Sequence, residues 1–233
     1  MYNVVDTFYA GLISTESIAA LSISFPIFFI IIALATGIAT GTTVLITNKL
    51  GAKNDASASR YAIQGVGYGL IVGAILSFGG YFSSPFLLGL LGASGSYLDI
   101  ALSYINIVFY GTIFFVLPQV INATLQSQGD TKSLRNVMVI GFFVNLILNP
   151  ILALGWLGFP KMGVAGIALA TVLIQIGSTI YLFGKAKHTS LWTNVRKRSF
   201  LPAMRIYKDI SVQGFPASLN MVTVAIGIFI ITY

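Results

Sequence analysis

Residues 17–48 read SIAALSISFPIFFIIIALATGIATGTTVLITN, with no charged side chain between Glu16 and Lys49. An α-helix rises about 1.5 Å per residue, so roughly 20 apolar residues cross the ~30 Å hydrocarbon core of a bilayer. Further uncharged runs follow at 61–98, 100–124, 137–160 and 162–184, and another opens at 210. The pattern predicts an all-α polytopic membrane protein.

Overall composition favours the same class. Of the 233 residues, 56% are hydrophobic and only 8% are charged, and the mean hydropathy is +0.89. A soluble globule needs more polar surface than this chain can supply. We therefore expect lipid to be its main solvent and membrane lipids to be its immediate partners.

The basic residues indicate how the chain is oriented. Except for Lys161, every Lys and Arg lies in alternate connections between the uncharged runs. The three groups are Lys49, Lys53 and Arg60; Lys132 and Arg135; and Lys185, Lys187, Arg196, Lys197, Arg198, Arg205 and Lys208. The positive-inside bias then predicts cytoplasmic basic connections, in a multi-pass protein of a bacterial or archaeal plasma (inner) membrane. The net charge of +7 sits at helix ends, where it meets anionic lipid, so no nucleic-acid partner is expected.

Three segments are predicted. Residues 1–184 form an amino-terminal bundle whose first helix is truncated, because residues 1–11 are too few to cross a bilayer. Residues 185–209 form a basic cytoplasmic linker, and residues 210–233 begin a seventh transmembrane helix. Six helices plus the start of a seventh suggest one lobe of a twelve-helix transporter, whose partner is a missing carboxy-terminal six-helix half.

Uncharged amides interrupt the third run, 100–124, and continue just past its end. Gln119, Asn122 and Gln126 recur at spacings of three and four, so they share one helix face. Such amides either bond neighbouring helices or line a wet cavity, and with Gln175 these three are our candidates for lining a cavity. We expect this helix to be interrupted at Pro118, and residues 83–96 to form an apolar connection on the outer side.

A pair of amides lies in the fourth run, 137–160. Asn145 and Asn149 are four residues apart, about one helical turn, and Pro150 follows directly. Proline has no backbone N–H, so it frees carbonyl groups near Asn145 and Leu146. Polar side chains beside freed carbonyls are typical of a cation or proton site in a transporter.

Catalytic chemistry is poorly represented. The chain has one histidine, His188, and six carboxylates, five of them in or near loops. No GxxxxGK[ST] loop is present, and no His, Cys or carboxylate spacing predicts a metal site. We therefore expect no enzyme activity, no metal and no cofactor.

Asp6 is the exception, because it lies within an apolar helical stretch. An ionised carboxylate there costs at least ~2.5 kcal/mol unless it pairs, binds a cation or takes up a proton. One interpretation is a proton- or ion-coupling residue. The other is a carboxyl that reaches the outer headgroups or fixes the first helix by a hydrogen bond.

Seven short motifs occur in a fixed order along the chain. They are YNVVD at 2–6 with Gly11, LSISFP at 21–26, Gly37 to Gly41, LGA at 50–52, QGDTK at 128–132, Asn145-x-x-x-Asn149-Pro150, and GVAGIALAT at 163–171. In order and loop spacing the chain resembles the multidrug and toxic compound extrusion (MATE) family over almost its full length. The resemblance implies two six-helix bundles arranged in a V.

It also implies a secondary antiporter that exports drugs or other cationic, amphipathic compounds in exchange for protons or sodium. The implied ion site consists of Asp6, Asn145, Asn149 and Thr171. The chain departs from the family at Asn149, where Asp commonly precedes the proline, and one carboxylate fewer favours protons over sodium. Two alternatives remain: a flippase for lipid-linked oligosaccharides, of related architecture, and a half-transporter that is inert alone.

Overall fold

The computed structural model describes the backbone of residues 2–193 and 201–232, and the side chains of 3–193 and 201–223. Basic residues 196–198 of the expected linker lie outside these ranges. Within the described residues the chain is helical, with no strand. The helices are α1 Tyr2–Ile13, α2 Thr15–Gly51, α3 Asp55–Leu90, α4 Gly95–Tyr110, α5 Thr112–Gln126, α6 Lys132–Leu154, α7 Val164–Ala186, α8 Ser190–Thr193 and α9 Met204–Thr232, with a 3₁₀ turn at Trp156–Gly158.

The predicted membrane class is confirmed by the lengths of these helices. Among the described residues α2, α3, α6 and α7 are each long and apolar enough to cross a bilayer. Helices α4 and α5 make a fifth span when taken together, with a bend of 43° between them. Five full spans are the number that the uncharged runs predict, and α1 precedes them as a shorter helix of 12 residues.

The bend in the span made by α4 and α5 is not where the sequence predicts it. Pro118 lies inside the continuous helix α5, and the helix breaks at Gly111 instead. A Cβ atom at Gly111 would overlap the side chain of Val172 on α7. The expectation at Pro118 was wrong because close packing of glycine against α7 decides where the helix bends, which a search for proline does not detect.

The outer connection is also shorter than expected. Helix α3 continues through Pro85 to Leu90, so only residues 91–94 join it to α4. The expected connection at 83–96 was therefore wrong. Ser84, one residue before the proline, is buried and donates from its hydroxyl to Asn106 Oδ1 on α4 at 2.7 Å, a contact that holds α3 against its neighbour.

Helix α2 lies at the centre of the bundle. It contacts α3, α4, α5 and α9, and it forms a hairpin with α1. At the hairpin turn the Ser14 hydroxyl accepts the backbone N–H of Ser17 at 3.1 Å, which caps the start of α2. The hairpin places α1 against α6 and α7 as well, and this three-helix contact builds the site described below.

The predicted linker is partly helical. Helix α7 ends at Ala186, α8 occupies Ser190–Thr193, and α9 begins at Met204, six residues before the expected start at 210. Ile206, Tyr207 and Ile210 are buried, so the first turns of α9 already belong to the packed bundle. These buried residues pack against α2 and α3, so the helix begins within a stretch whose basic residues predicted a loop.

Candidate ion-coupling site

Asp6 lies in the middle of α1 and is buried, with 2% of its surface exposed. Three neutral side chains donate hydrogen bonds to its carboxylate. Asn145 Nδ2 and Asn149 Nδ2 reach Oδ1 at 3.1 and 2.9 Å, and Thr171 Oγ1 reaches Oδ2 at 3.1 Å. The four residues named by the resemblance are thus brought together, from three helices. The carboxylate of Asp6 lies inside the bundle, where its hydrogen bonds join α1 to α6 and α7.

The amide pair comes from one face of α6. Asn145 and Asn149 are fully buried, and Asn149 Nδ2 also contacts Asn145 Oδ1 at 3.3 Å. Residues four apart lie above one another on a helix, so both amides point at the same carboxylate oxygen. This spacing was readable from the sequence, whereas the approach of α1 to that face was not.

A freed carbonyl fixes α1 against α6. Pro150 has no N–H to give to Leu146 O, and the hydroxyl of Tyr9 donates to that oxygen at 3.1 Å. Tyr9 is one helical turn from Asp6, so the bond holds α1 in register with the amide pair. The sequence predicts the freed carbonyl near Leu146, but it did not identify Tyr9 as its partner.

Thr171 reaches the site because α7 packs closely on α6. A Cβ atom at Gly166 would overlap the backbone of Leu152 on α6, so only glycine permits this approach. The contact lies one to two turns before Thr171 on α7. It therefore sets the distance at which the Thr171 hydroxyl meets Asp6.

One oxygen in the cluster has no described donor. Asn149 Oδ1 is buried and accepts no hydrogen bond from the described residues. A buried acceptor without a donor is costly, and a proton donor or a cation nearby would satisfy it. The cluster thus holds a carboxylate, a hydroxyl and a spare carbonyl oxygen at one place, which is suited to taking up and releasing a small cation.

Tyr104 is a neighbour that sequence reasoning missed. This α4 residue is 9% exposed and lies close enough to Asp6 to interact electrostatically with the carboxylate. Tyr104 lies in an apolar run, as many core tyrosines do, so the sequence does not distinguish it from an ordinary core residue. It adds a fourth helix to the surroundings of Asp6.

Four amides were predicted to line a cavity, and none of them has a described hydrogen bond to the Asp6 cluster. Asn122 is 5% exposed and its Oδ1 has no described partner; Gln119 and Gln175 are half-buried, and Gln126 is exposed. A groove of about 260 Å³ runs between α6 and α7, lined by apolar residues such as Val144, Leu148 and Leu173. None of the four amides lines this groove, and their role stays a prediction.

Curated relatives of this chain are named as multidrug resistance proteins or as a transporter. The chain is 28% identical to the "Probable multidrug resistance protein YoeA" of Bacillus subtilis, over 92% of this chain and 47% of that protein. It is 33% identical to the "FAD transporter" of Shewanella oneidensis, over 78% of this chain and 41% of that protein. A "Probable multidrug resistance protein NorM" of Thermotoga maritima is 26% identical over 98% of the chain and 49% of its own length. The chain spans about half the length of these relatives.

Solved structures give the same picture. "Crystal structure of MATE in the bent conformation" matches with a TM-score of 0.87 and 31% identity, over 98% of this chain and 50% of that one. "Inward-facing conformation of a multidrug resistance MATE family transporter of the MOP superfamily" matches with a TM-score of 0.86 and 30% identity, over 98% and 51%. The fold is therefore that of half a MATE transporter. The MatE family model matches residues 1–151, and with the helices and the Asp6 cluster in place this chain belongs to the MatE family.

Proposed function

We propose that the chain forms the amino-terminal half of a secondary exporter in a bacterial or archaeal plasma membrane. It would move drugs or other cationic, amphipathic compounds outward in exchange for inward protons, by alternating access. The names of the relatives support drug export, because several are called multidrug resistance or export proteins. The basic connections would face the cytoplasm.

The observation that carries the proposal is the burial of Asp6 among neutral donors. A carboxylate at bilayer depth is stable only with a proton, a cation or strong hydrogen bonds. Here the described bonds come from two amides and a hydroxyl, which stabilise the anion without neutralising it. Proton uptake at Asp6 would remove the charge and weaken these three bonds together. Two differently bonded states of one cluster are what ion coupling requires.

Protons fit the cluster better than sodium. Hard cations favour charged oxygen ligands, and position 149 offers a neutral amide where the family commonly has a carboxylate. The free Asn149 Oδ1 is one neutral ligand and Thr171 Oγ1 is another, around a single carboxylate. Sodium remains the alternative that the experiment below addresses.

Cationic substrates fit this half better than anionic ones. No Lys or Arg occurs in the runs 61–131, 136–160 or 162–184. The FAD transporter relative is named for a substrate that carries phosphates, and a lipid-linked oligosaccharide also carries phosphates. Either substrate would favour basic residues along its path, so those functions are second candidates that this half does not favour.

Transport by the complete protein in lipid vesicles tests the proposal. We expect an imposed pH gradient to drive drug accumulation, a sodium gradient alone to leave it unchanged, and Asp6→Asn to abolish it. Asp99→Asn makes the same chemical change at an exposed carboxylate and should transport like the wild type. Undiminished transport by Asp6→Asn would reject the coupling role, and transport driven by sodium would reject the proton.

A further inference from the structure

Three side chains on the basic end of α3 hold the start of α9. Tyr61 donates its hydroxyl to Asp209 Oδ2 at 2.8 Å. Tyr68 shares a hydrogen bond with Ser211 at 2.6 Å between the hydroxyl oxygens. The ring of Tyr68 is also stacked on Tyr207, with centroids 5.0 Å apart and an interplanar angle of 18°.

Gln64 lies between the two tyrosines and binds the peptide backbone. Its Nε2 donates to Leu201 O at 2.8 Å, and its Oε1 accepts from Ala203 N at 3.0 Å. The side-chain amide of Gln64 therefore both donates to and accepts from the backbone just before α9, as a residue of a neighbouring β-strand would. Gln64 is only 2% exposed, although it belongs to a long apolar helix. A polar side chain at such a position needs these partners.

A close helix crossing lies next to these contacts. Cβ atoms built at Gly37 and Gly41 of α2 would overlap Ser218, Ile210 or Gly214 of α9, and one at Gly214 would overlap the backbone of Gly37. Small residues four apart on both helices let the backbones touch. The crossing fixes the point at which the backbones of α2 and α9 meet.

We propose that Tyr61, Gln64 and Tyr68 form a latch that holds the bundle closed on its basic side, with the glycine crossing as its pivot. The inference rests on the proposed function, in which α9 begins the second lobe and the two lobes move relative to one another. The latch bonds join α3 of the first lobe to α9, so the state open to the basic side must break them. Their strength then sets the balance between the two states.

Distance measurements between spin labels test the latch in the complete protein, reconstituted without substrate. The labels occupy cysteines at Ala56 and Lys208, both exposed, at the starts of α3 and α9. The described half supplies no competing thiol because it has no cysteine. We expect a single short distance in the wild type. Gln64→Met combined with Tyr61→Phe should add a longer one, with about fivefold more of the open state for each hydrogen bond lost.

A matched control separates the latch from general weakening. Tyr97→Phe removes a hydroxyl that bonds Ala19 O at 2.8 Å, a contact between α4 and α2 within the first lobe. It should leave the Ala56–Lys208 distance unchanged. A second label pair at Ala56 and Lys132, both in the first lobe, reports on folding.

Two outcomes would overturn the latch. The first is a wild-type distance distribution in the latch variant. The second is an altered Ala56–Lys132 distance, because these bonds would then hold the first lobe together rather than the joint to α9. Neither measurement uses a drug or an ion gradient, so the latch and the proposed function can fail separately. If the complete protein does not transport drugs but the latch variant opens, the proposed function is rejected and the latch is supported.

Discussion

At the residue scale the central feature is one carboxylate, Asp6, that accepts hydrogen bonds from three donors. Asp6 Oδ1 accepts hydrogen bonds from both amides, and Oδ2 accepts one from the hydroxyl of Thr171. Each carboxylate oxygen therefore has its own donors. Hydrogen bonds to a charged group contribute about 1.5–3 kcal/mol each, more than neutral ones. Removing one donor therefore changes the balance between charged and neutral Asp6 measurably.

Thr171→Val tests that balance, because valine keeps the shape of threonine and loses only the hydroxyl. Thr171 is the described donor to Asp6 Oδ2, so we expect proton-driven efflux to fall about tenfold or more. Efflux is measured at several pH values in cells that express equal amounts of each protein. Thr179→Val is the matched control, since its hydroxyl bonds the carbonyl of Gln175 within its own helix. Equal efflux by the two variants would contradict the role of Thr171.

The sequence predicted much of this site and could not predict the rest, for a physical reason. Asp6 was recognisable because a carboxylate in an apolar run is costly, and the amide pair because of its one-turn spacing. Tyr9 and Tyr104 look like ordinary aromatic residues of an apolar helix. Their importance comes from which helices pack together, and that is a tertiary property.

At the element scale, glycine contacts explain where sequence reasoning about helix boundaries failed. Prolines at 85 and 118 lie inside helices, whereas Gly111 marks the break where α7 approaches. A membrane helix tolerates proline when neighbours satisfy the freed groups, so proline alone is a weak boundary signal. Close approach depends on the partner helix, which periodicity within one run does not reveal.

The start of α6 depends on Asp130. Its carboxylate accepts the N–H groups of Lys132 and Ser133, each at 3.0 Å, and the Ser133 hydroxyl at 2.6 Å. These bonds, the Ser133 hydroxyl first, hold the pKa of Asp130 below its ordinary value. An acidic residue that caps a helix N-terminus also interacts favourably with the helix dipole.

The lowered pKa predicts how stability depends on pH. Because the unfolded chain protonates this group more readily, its contribution is complete above the ordinary pKa of about 4 and is lost as pH falls through the folded-state pKa. Asp130→Ala should cost about 1 kcal/mol at neutral pH and flatten the acid side of the thermal-unfolding profile in detergent. Asp99→Ala, at an exposed carboxylate, should retain the wild-type profile. An unchanged acid slope in Asp130→Ala would show that other groups set it.

At the scale of the whole molecule, α1 to α7 pack into one bundle, and α9 lies against two helices of that bundle. Helix α9 contacts α2 and α3 but lies apart from the Asp6 cluster, which α1, α6 and α7 build. The proposed ion-coupling site and the proposed joint to a second lobe thus occupy different parts of the bundle. Among the described helices, α2 contacts both α1 and α9.

The orientation of the whole bundle decides which way this machinery can work. A cysteine at Ala56 reports on the basic side and one at Phe159 on the opposite side; both positions are exposed. In a cysteine-free version of the complete protein, a membrane-impermeant maleimide applied to intact cells should label Phe159→Cys and spare Ala56→Cys. Both should react after lysis. The reverse pattern would place the basic connections outside, and a bundle latched on that side would close towards the exterior, which is the wrong direction for releasing an exported compound.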